Sequence, residues 1–231
     1  MFKKITLSLL VATGLFAEIQ ADISTKIFEK MSKNLPNTKI DKVVPSFVMN
    51  GMYEVYAGKN ILYSNEFAER VIVGHIFSFE GEDLTQKQLD MVELEVIKKS
   101  LDLSKALKIG NGKHEVILFT DTECPYCRKS EQLIKDGDMT KYVFFTPLPF
   151  HKKATPQSIH ILCSKNPQEE YKKAMDGKLD DVKLTNCKVG EDHLKEMMKF
   201  GEILQVAGTP LFYIDGKKIS GANPALTDMV K

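Results

Sequence analysis

The sequence predicts a two-domain protein, with a small α+β domain, a helical linker and a C-terminal α/β domain that carries a helical insertion. Three observations lead to this fold class. Short strand-like runs follow one helix before residue 82, a long helical pattern occupies residues 83–111, and strands alternate with helices after residue 112. All four cysteines lie in the second half of the chain, which also suggests two domains.

The composition limits the class of protein but not its function. The chain has 231 residues, of which 43% are apolar and 27% charged, so it can bury a sizeable core and is not of low complexity. The net charge of +1 gives no argument for binding nucleic acid through bulk electrostatics, and we expect no nucleic-acid partner. Four cysteines are too few for a miniprotein held together by disulfides.

The first 21 residues are typical of a targeting segment. Lys3 and Lys4 precede the apolar run 5–16, which is too short to span a bilayer comfortably, and Ala17 or Ala21 could end a cleavage site. An uncleaved anchor or a buried N-terminal helix is the alternative. We therefore expect an exported, soluble protein, in a compartment where paired cysteines form disulfides or do redox chemistry.

Residues 22–82 are predicted to form the first domain. An amphipathic helix over residues 23–34 ends near Pro36, and the segment 57–60 has the residues of a hairpin turn. Sixty residues make a marginal core, so such a domain often needs a partner. The predicted strands are Val43-Val44, 47–49, 53–56, 61–64 and 71–79.

The segment 83–111 is predicted to be a helical linker. Thr85 and Gln88 have the spacing of a capping box, and apolar residues follow at helical spacing as far as Leu107. This pattern predicts one long or broken helix that ends near the turn residues beginning at Gly110. The alternative is an ordinary core helix of one larger domain.

Residues 112–231 are predicted to form the second domain. A buried strand at 115–120 leads into the cysteine pair and a helix at 128–135, and a second strand follows at 142–146. The later predicted elements are helices that begin at Thr155-Pro156 and Asn166-Pro167, a helix at 190–205, a hairpin of strands 211–214 and 217–220, and a helix at 224–230.

The sequence Cys124-Pro125-Tyr126-Cys127 falls between a strand and a helix, where it can carry thiol chemistry. At a helix N-terminus, unpaired N–H groups and the helix dipole lower a cysteine pKa from about 8.5 to between roughly 3.5 and 7.5. Cys124 is therefore the predicted nucleophile. Cys127, one turn later, can resolve a mixed disulfide, and Pro125 suits the opening turn.

Other uses of the cysteines agree less well with the sequence. Zinc could bind all four thiolates, but Cys163 and Cys187 are too far apart in sequence for a second zinc knuckle, and haem attachment would need His where Arg128 stands. A purely structural 124–127 disulfide would close too short a loop to stabilise the fold. We expect Cys163 and Cys187 to form a structural disulfide worth about 3 kcal/mol, with a second redox pair as the alternative. No metal site is predicted, and the five histidines lack metal-ligand spacing.

These motifs resemble the DsbC/DsbG family of bacterial periplasmic disulfide isomerases. The resemblance is carried by Phe119-Thr120-Asp121 before the cysteine pair, by Cys163 and Cys187, and by Gly208-Thr209-Pro210, and it extends to the segment 71–79. It implies a cystatin-like dimerisation domain over 22–82, a helical linker over 83–111 and a thioredoxin-fold catalytic domain over 112–231.

The resemblance also implies roles for particular residues. Pro210 would be cis and face Cys124, so that the Thr209 backbone pairs with an extended substrate next to Pro125 and Tyr126. Pro-Tyr between the cysteines is typical of the DsbG branch, whereas the second cysteine pair favours DsbC. Leu118 stands where thioredoxin has a buried carboxylate, which leaves three candidates to accept the Cys127 proton: Glu115, Asp121 and water.

The function predicted in this way is a periplasmic, homodimeric disulfide isomerase or reductase for misfolded exported proteins, kept reduced by a membrane reductase of the DsbD type. It requires no cofactor. The alternatives are a thiol oxidase, a DsbG-like reductase of single cysteines, and a holdase chaperone that acts without thiol chemistry.

Overall fold

The structure is a computed structural model that describes residues 5–231, with side chains from Glu18 onward. The start of the predicted targeting segment, residues 1–4, lies outside the described residues. The chain divides into two compact units, Met1–Val92 and Glu93–Lys231. Among the helices of the described part, none has both the length and the apolar character that crossing a membrane requires.

The first unit contains a long helix packed on a four-stranded antiparallel sheet in the order β1-β2-β3-β4. The helix α1, Ile5–Asn34, begins well before the predicted start at residue 23 and ends where it was predicted to end. Ile27 and Met31 of this helix are buried against Val55 and Leu62 of the sheet. The strands are β1 Lys42–Pro45, β2 Tyr53–Ala57, β3 Asn60–Ser64 and β4 Val71–Val73.

The predicted strand at residues 47–49 is wrong, because the segment is a turn. The buried carboxylate of Glu54 accepts hydrogen bonds from the Ser46 hydroxyl and the Phe47 N–H, at 2.9 and 3.0 Å. The Ser46 hydroxyl oxygen in turn accepts hydrogen bonds from the N–H groups of Val48 and Met49. These local hydrogen bonds provide acceptors for the backbone N–H groups of residues 47–49, so the segment does not need to pair with a neighbouring strand.

The predicted strand at 71–79 is shorter than expected. It pairs with β3 only over Val71–Val73, and Gly74, with φ of +155°, follows the last paired residue. β4 is an edge strand of the sheet, and all three of its side chains are exposed. Phe77 and Phe79 beyond it are exposed as well.

Helix α2, Leu84–Ser100, confirms a helix after residue 83 but not the predicted cap. Asp83 accepts the Gln86 N–H at 2.9 Å, whereas the Thr85 hydroxyl accepts the Ile76 N–H and hydrogen-bonds Tyr63. The helical pattern is broken after Ser100: a 3₁₀ turn, Leu103–Lys105, follows, and the residues 107–109 at its predicted end form strand β5, Leu107–Ile109. β5 pairs with a strand of the second sheet, a tertiary contact that overrides the local helical spacing.

The second unit is built on a five-stranded sheet in the order β5-β7-β6-β8-β9, in which only β6 and β7 run parallel. Three helices are inserted between β7 and β8, so the predicted fold class is confirmed. The remaining strands are β6 His114–Thr120, β7 Met139–Phe145, β8 Leu211–Ile214 and β9 Lys217–Ser220. The helices are α3 Pro125–Ile134, α4 Ala154–Cys163, α5 Pro167–Met175, α6 Lys188–Ile203 and α7 Leu226–Met229.

The start of α4 differs from the prediction. Lys153, not Thr155, occupies the N-cap position, so Pro156 is the third helical residue. Proline is tolerated there because the first N–H groups of a helix have no partner within the helix. Asn166 and Pro167 do occupy the predicted N-cap and first helical positions of α5.

Candidate active site

Cys124 occupies the N-cap position of α3, and Pro125 is the first helical residue. The Cys124 carbonyl accepts the Arg128 N–H at 3.1 Å, which starts the helical hydrogen-bond ladder. Cys124 and Cys127 are both reduced and buried, and Cys127 has no solvent-exposed surface. The strand–turn–helix order of the sequence therefore places the Cys124 sulfur at the start of the helix. The Cys127 sulfur lies one helical turn further along.

The surroundings of Cys124 stabilise its thiolate. The hydrogen bond from the Cys127 thiol is the largest influence, and with the N–H groups of Cys127 and Tyr126 it lowers the pKa of Cys124 to about 5, against the opposing effect of burial. At neutral pH this sulfur is therefore mostly ionised, which is the form that attacks disulfides.

Cys127 is held in the opposite state. Burial raises the pKa of its thiol well above the ordinary value, and the hydrogen bond to Cys124 raises it further. The Asp121 N–H lies 3.4 Å from its sulfur. At neutral pH Cys127 is thus a neutral thiol that donates to the Cys124 thiolate.

The segment before β8 faces the nucleophile. The Thr209–Pro210 peptide bond is cis, and the Thr209 carbonyl oxygen lies 3.4 Å from the Cys124 sulfur. Tyr126 is 64% exposed beside the sulfur, next to the exposed Pro125. The structure therefore brings all six residues predicted for catalysis and substrate binding to one end of the second sheet.

Asp121 organises the loop between β6 and α3. One carboxylate oxygen accepts the N–H groups of Glu123 and Cys124, at 2.8 and 3.2 Å. The other accepts the Leu148 N–H at 2.7 Å and lies 2.9 Å from Nδ1 of His151. Both oxygens of this fully buried side chain are occupied, so Asp121 holds the loop rather than standing ready as a base. His151 is 30 residues from Asp121 in the sequence, and no sequence motif indicates this contact.

Arg128 does not contribute free positive charge to the site. Its guanidinium group pairs with both carboxylate oxygens of Asp180, at 2.8 and 2.6 Å, and its Nε donates to the Thr122 carbonyl. The side chain therefore ties α3 to the loop after α5 and to the loop before the cysteines.

Cys163 and Cys187 form a disulfide with an S–S distance of 2.04 Å that joins the end of α4 to the start of α6. A Cβ atom on Gly190 would come within 2.6 Å of the Cys163 sulfur and 2.9 Å of the Ile159 carbonyl oxygen, so this close packing requires glycine. With these sulfurs bonded to each other, a four-thiolate zinc site does not form. Within residues 5–231 as described, His, Cys, Asp and Glu side chains make no group of three that could hold a metal ion.

Two family models match the chain. Residues 17–86 match the disulfide bond isomerase protein N-terminal domain, and residues 101–227, more than half of the chain, match the thioredoxin-like domain. The two matches together cover both structural units.

Similar proteins carry consistent names. A probable thiol:disulfide interchange protein DsbC of Bordetella avium is 27% identical over 178 residues, covering 75% of this chain and 62% of the relative. The thiol:disulfide interchange protein DsbC of Salmonella typhimurium is 29% identical over 167 residues, covering 69% and 67%. The chain thus spans under two thirds of the length of the Bordetella relative.

A solved structure shares the fold of part of the chain. The disulfide interchange protein from Neisseria gonorrhoeae superimposes with a TM-score of 0.50 at 27% identity, covering 56% of this chain and 96% of that protein. Together with the two family matches and the geometry around Cys124, these similarities show that the chain belongs to the DsbC/DsbG family of thiol:disulfide interchange proteins, with a thioredoxin-like domain preceded by a disulfide bond isomerase N-terminal domain.

Proposed function

We propose that this protein is a thiol:disulfide oxidoreductase that isomerises or reduces wrong disulfides in misfolded exported proteins. The observation that carries the proposal is the stabilised thiolate of Cys124, with a pKa of about 5, next to the neutral thiol of Cys127 and the cis Thr209–Pro210 segment. This arrangement supplies a nucleophile, a second thiol and a place for a substrate chain.

The reaction begins with attack of the Cys124 thiolate on a substrate disulfide. A bond forms between the Cys124 sulfur and one substrate sulfur, and the other substrate sulfur leaves as a thiolate. A different substrate thiolate then displaces Cys124, which gives an isomerised substrate and regenerates the enzyme. If Cys127 displaces the substrate instead, the substrate leaves reduced and the enzyme holds a 124–127 disulfide.

The substrate segment would lie in extended form against the Thr209 backbone. Its own N–H and C=O groups would pair with this backbone as an added strand does. Pro210, Pro125 and the exposed Tyr126 would provide the apolar contacts around the sulfur. Such contacts depend little on sequence, which suits an enzyme that accepts many misfolded chains.

The proposed setting is the periplasm, where the protein acts as a homodimer through residues 22–82 and the linker 83–111 leads to a catalytic domain at 112–231. The targeting-type residues 1–21 and the need for disulfide-forming substrates support export. The exposed apolar edge strand β4 supports dimerisation. A membrane reductase of the DsbD type would return two electrons to the oxidised site.

One observation also favours net oxidation as a second candidate. A stabilised thiolate stabilises the reduced form of the enzyme, which makes its disulfide a stronger oxidant. The redox state of Cys124 and Cys127 in intact cells, trapped by alkylation, separates the two functions: the isomerase is found reduced and the oxidase is found oxidised.

To test the proposal, the protein is mixed with a substrate enzyme whose several disulfides have been paired wrongly, and the return of the substrate's own activity is measured. We expect the wild-type protein to restore activity, Cys124→Ser to restore none, and Cys127→Ser to isomerise while accumulating mixed disulfides. A Cys124→Ser variant that restores activity as well as the wild type would rule out thiol catalysis and leave a holdase.

A further inference from the structure

The loop between β7 and α4, residues 146–153, presents an exposed phenylalanine at the tip of a turn. The Leu148 carbonyl accepts the His151 N–H at 2.9 Å, which closes the turn. Pro149 is the second residue of this turn, a position that proline favours because its φ is already fixed at the required value. Phe150 is the third residue and is 72% exposed, and its ring lies edge-on to the His151 ring with 4.5 Å between the ring centres. The local sequence therefore places a large apolar ring at the tip of a stiff turn.

The turn is fixed to the loop that carries Cys124. Its first and last residues, Leu148 and His151, both contact one carboxylate oxygen of Asp121, at 2.7 and 2.9 Å. The other oxygen of the same carboxylate accepts the Cys124 N–H at 3.2 Å. Asp121 is fully buried, so water does not compete for these contacts. One side chain therefore holds the turn that carries Phe150 in a fixed position relative to the nucleophile.

Further hydrogen bonds secure both ends of the loop 146–153. At its start, the Thr146 N–H donates to the Thr120 carbonyl at 2.7 Å. At its end, the Lys153 N–H donates to the Glu123 carboxylate at 2.7 Å. Because the loop is already ordered, a substrate that contacts its tip gains apolar contact without the entropic cost of ordering a loop.

The loop lies on the opposite side of Cys124 from the Thr209–Pro210 segment. Strand β6, which leads to Cys124, is flanked in the sheet by β7 on one side and β8 on the other. β7 is parallel to β6, so the loop after β7 begins at the edge of the sheet where β6 ends. β8 is antiparallel to β6, so the residues that precede β8 lie at this edge as well. A substrate disulfide at Cys124 would therefore lie between the cis-proline segment and the loop that carries Phe150.

We propose that the loop 146–153 is a second substrate-contact surface, on which Phe150 binds apolar side chains next to the disulfide under attack, an inference that rests on the oxidoreductase function proposed above. The preferred substrate is an unfolded or partly folded chain with an aromatic or aliphatic residue beside its cysteine. Such residues are mostly buried in native proteins and become accessible when a chain misfolds. Contact with Phe150 therefore favours misfolded chains over small polar disulfides.

The test mixes the full-length reduced protein with two symmetrical peptide disulfides that differ only in the residue next to the cysteine, phenylalanine in one and serine in the other. Release of the first peptide thiol reports attack by Cys124, and each rate is divided by the rate of the same peptide with a small free thiol. We expect the wild-type protein to prefer the phenylalanine peptide at least about threefold, because a contact between two aromatic rings adds to the binding of this peptide alone.

Phe150→Ser should lower this preference at least about threefold by slowing attack on the phenylalanine peptide, while the rate with the serine peptide stays unchanged. Phe150→Leu should keep most of the preference, because leucine also offers an apolar surface. The pKa of Cys124, followed through the ultraviolet absorbance of its thiolate, should stay at about 5 in both variants.

Val189→Ser is the matched control, because Val189 is as exposed as Phe150 and belongs to the same structural unit. It lies in the first turn of α6, roughly 20 Å along the helix axis from the end that leads to Thr209. We expect this variant to attack both peptides at the wild-type rates.

The outcomes separate this inference from the function on which it rests. An unchanged preference in Phe150→Ser overturns the second contact surface and leaves the oxidoreductase standing. Rates that fall equally for both peptides, together with a shifted Cys124 pKa, also overturn it, because the loop would then support the nucleophile rather than the substrate. A wild-type protein that reacts with neither peptide overturns both proposals.

Discussion

At the scale of single residues, the loop that presents Cys124 depends on one carboxylate. Asp121 accepts hydrogen bonds from three backbone N–H groups and contacts His151, all within 3.2 Å and out of contact with water. Two of these donors precede the active-site helix, and the other two belong to the chain after β7. One side chain therefore fixes the position of Cys124 relative to a distant loop.

We expect Asp121→Asn to destabilise the protein by about 2–3 kcal/mol, because an amide has a single acceptor oxygen and its NH₂ group would face donors in a buried site. Urea unfolding of the reduced protein measures the change. Asp181→Asn, at an exposed site paired with Lys153, is the control and should stay within about 0.5 kcal/mol of the wild type. Equal stability of Asp121→Asn and the wild type would show that the loop does not need this carboxylate.

The chemistry of the two cysteines could be predicted from the sequence because it depends on local order, a strand followed at once by a helix. The partners of Asp121 could not, since Leu148 and His151 are 27 and 30 residues away and reach it only in the folded chain.

At the scale of elements, β4 stands out because it is an edge strand of its sheet with every side chain exposed. Val71, Ile72 and Val73 are all exposed, and Phe77 and Phe79 add further apolar surface nearby. An exposed apolar edge normally pairs with another chain or is blocked by charge. In this unit it is the surface best suited to a second copy.

We expect Val73→Lys to weaken self-association at least about tenfold, because a lysine at the pairing edge opposes strand addition. Sedimentation equilibrium of wild-type and variant protein over a range of concentrations measures this. Val189→Lys, which changes an equally exposed valine on α6, should leave association unchanged. A wild-type protein that stays monomeric at high concentration would contradict the proposed dimer.

Elements that are determined by their own residues could be predicted from the sequence. Elements that depend on a partner far along the chain could not. The hairpin between β2 and β3 follows from its own turn residues, with Gly58 at φ of +59°. The strand β5 was missed because its pairing partner on β7 lies over 30 residues further along the chain. The turn at residues 47–49 was mistaken for a strand because the controlling group is the buried Glu54.

At the scale of the whole molecule, the Cys124 thiolate links stability to pH. The pKa of Cys124 is about 5 in the folded protein, against an ordinary cysteine value of about 8.5 when the chain is unfolded. Between these values the unfolded chain holds more protons than the folded one, so stability rises with pH. Above about pH 9 the contribution of Cys124 to stability no longer increases. There the raised pKa of Cys127 lowers stability, because this thiol ionises in the unfolded chain but stays protonated in the folded one.

We expect the free energy of unfolding of the reduced wild type, minus that of Cys124→Ser, to increase steadily from about pH 5 to about pH 9. Urea unfolding at several pH values under a thiol reductant gives this difference. The other titratable groups are the same in both proteins, so their effects on stability largely cancel when one value is subtracted from the other. A difference that does not change with pH would mean that Cys124 ionises as it does in an unfolded chain.

The low pKa of Cys124 has one more consequence, for the lifetime of the covalent complex. A sulfur that ionises readily is also a good leaving group. In the proposed reaction the mixed disulfide would therefore be short-lived, and the product would depend on which thiol displaces Cys124 first. If a second substrate thiol displaces it, the substrate leaves with a rearranged disulfide; if Cys127 displaces it, the substrate leaves with two free thiols and the enzyme holds a 124–127 disulfide.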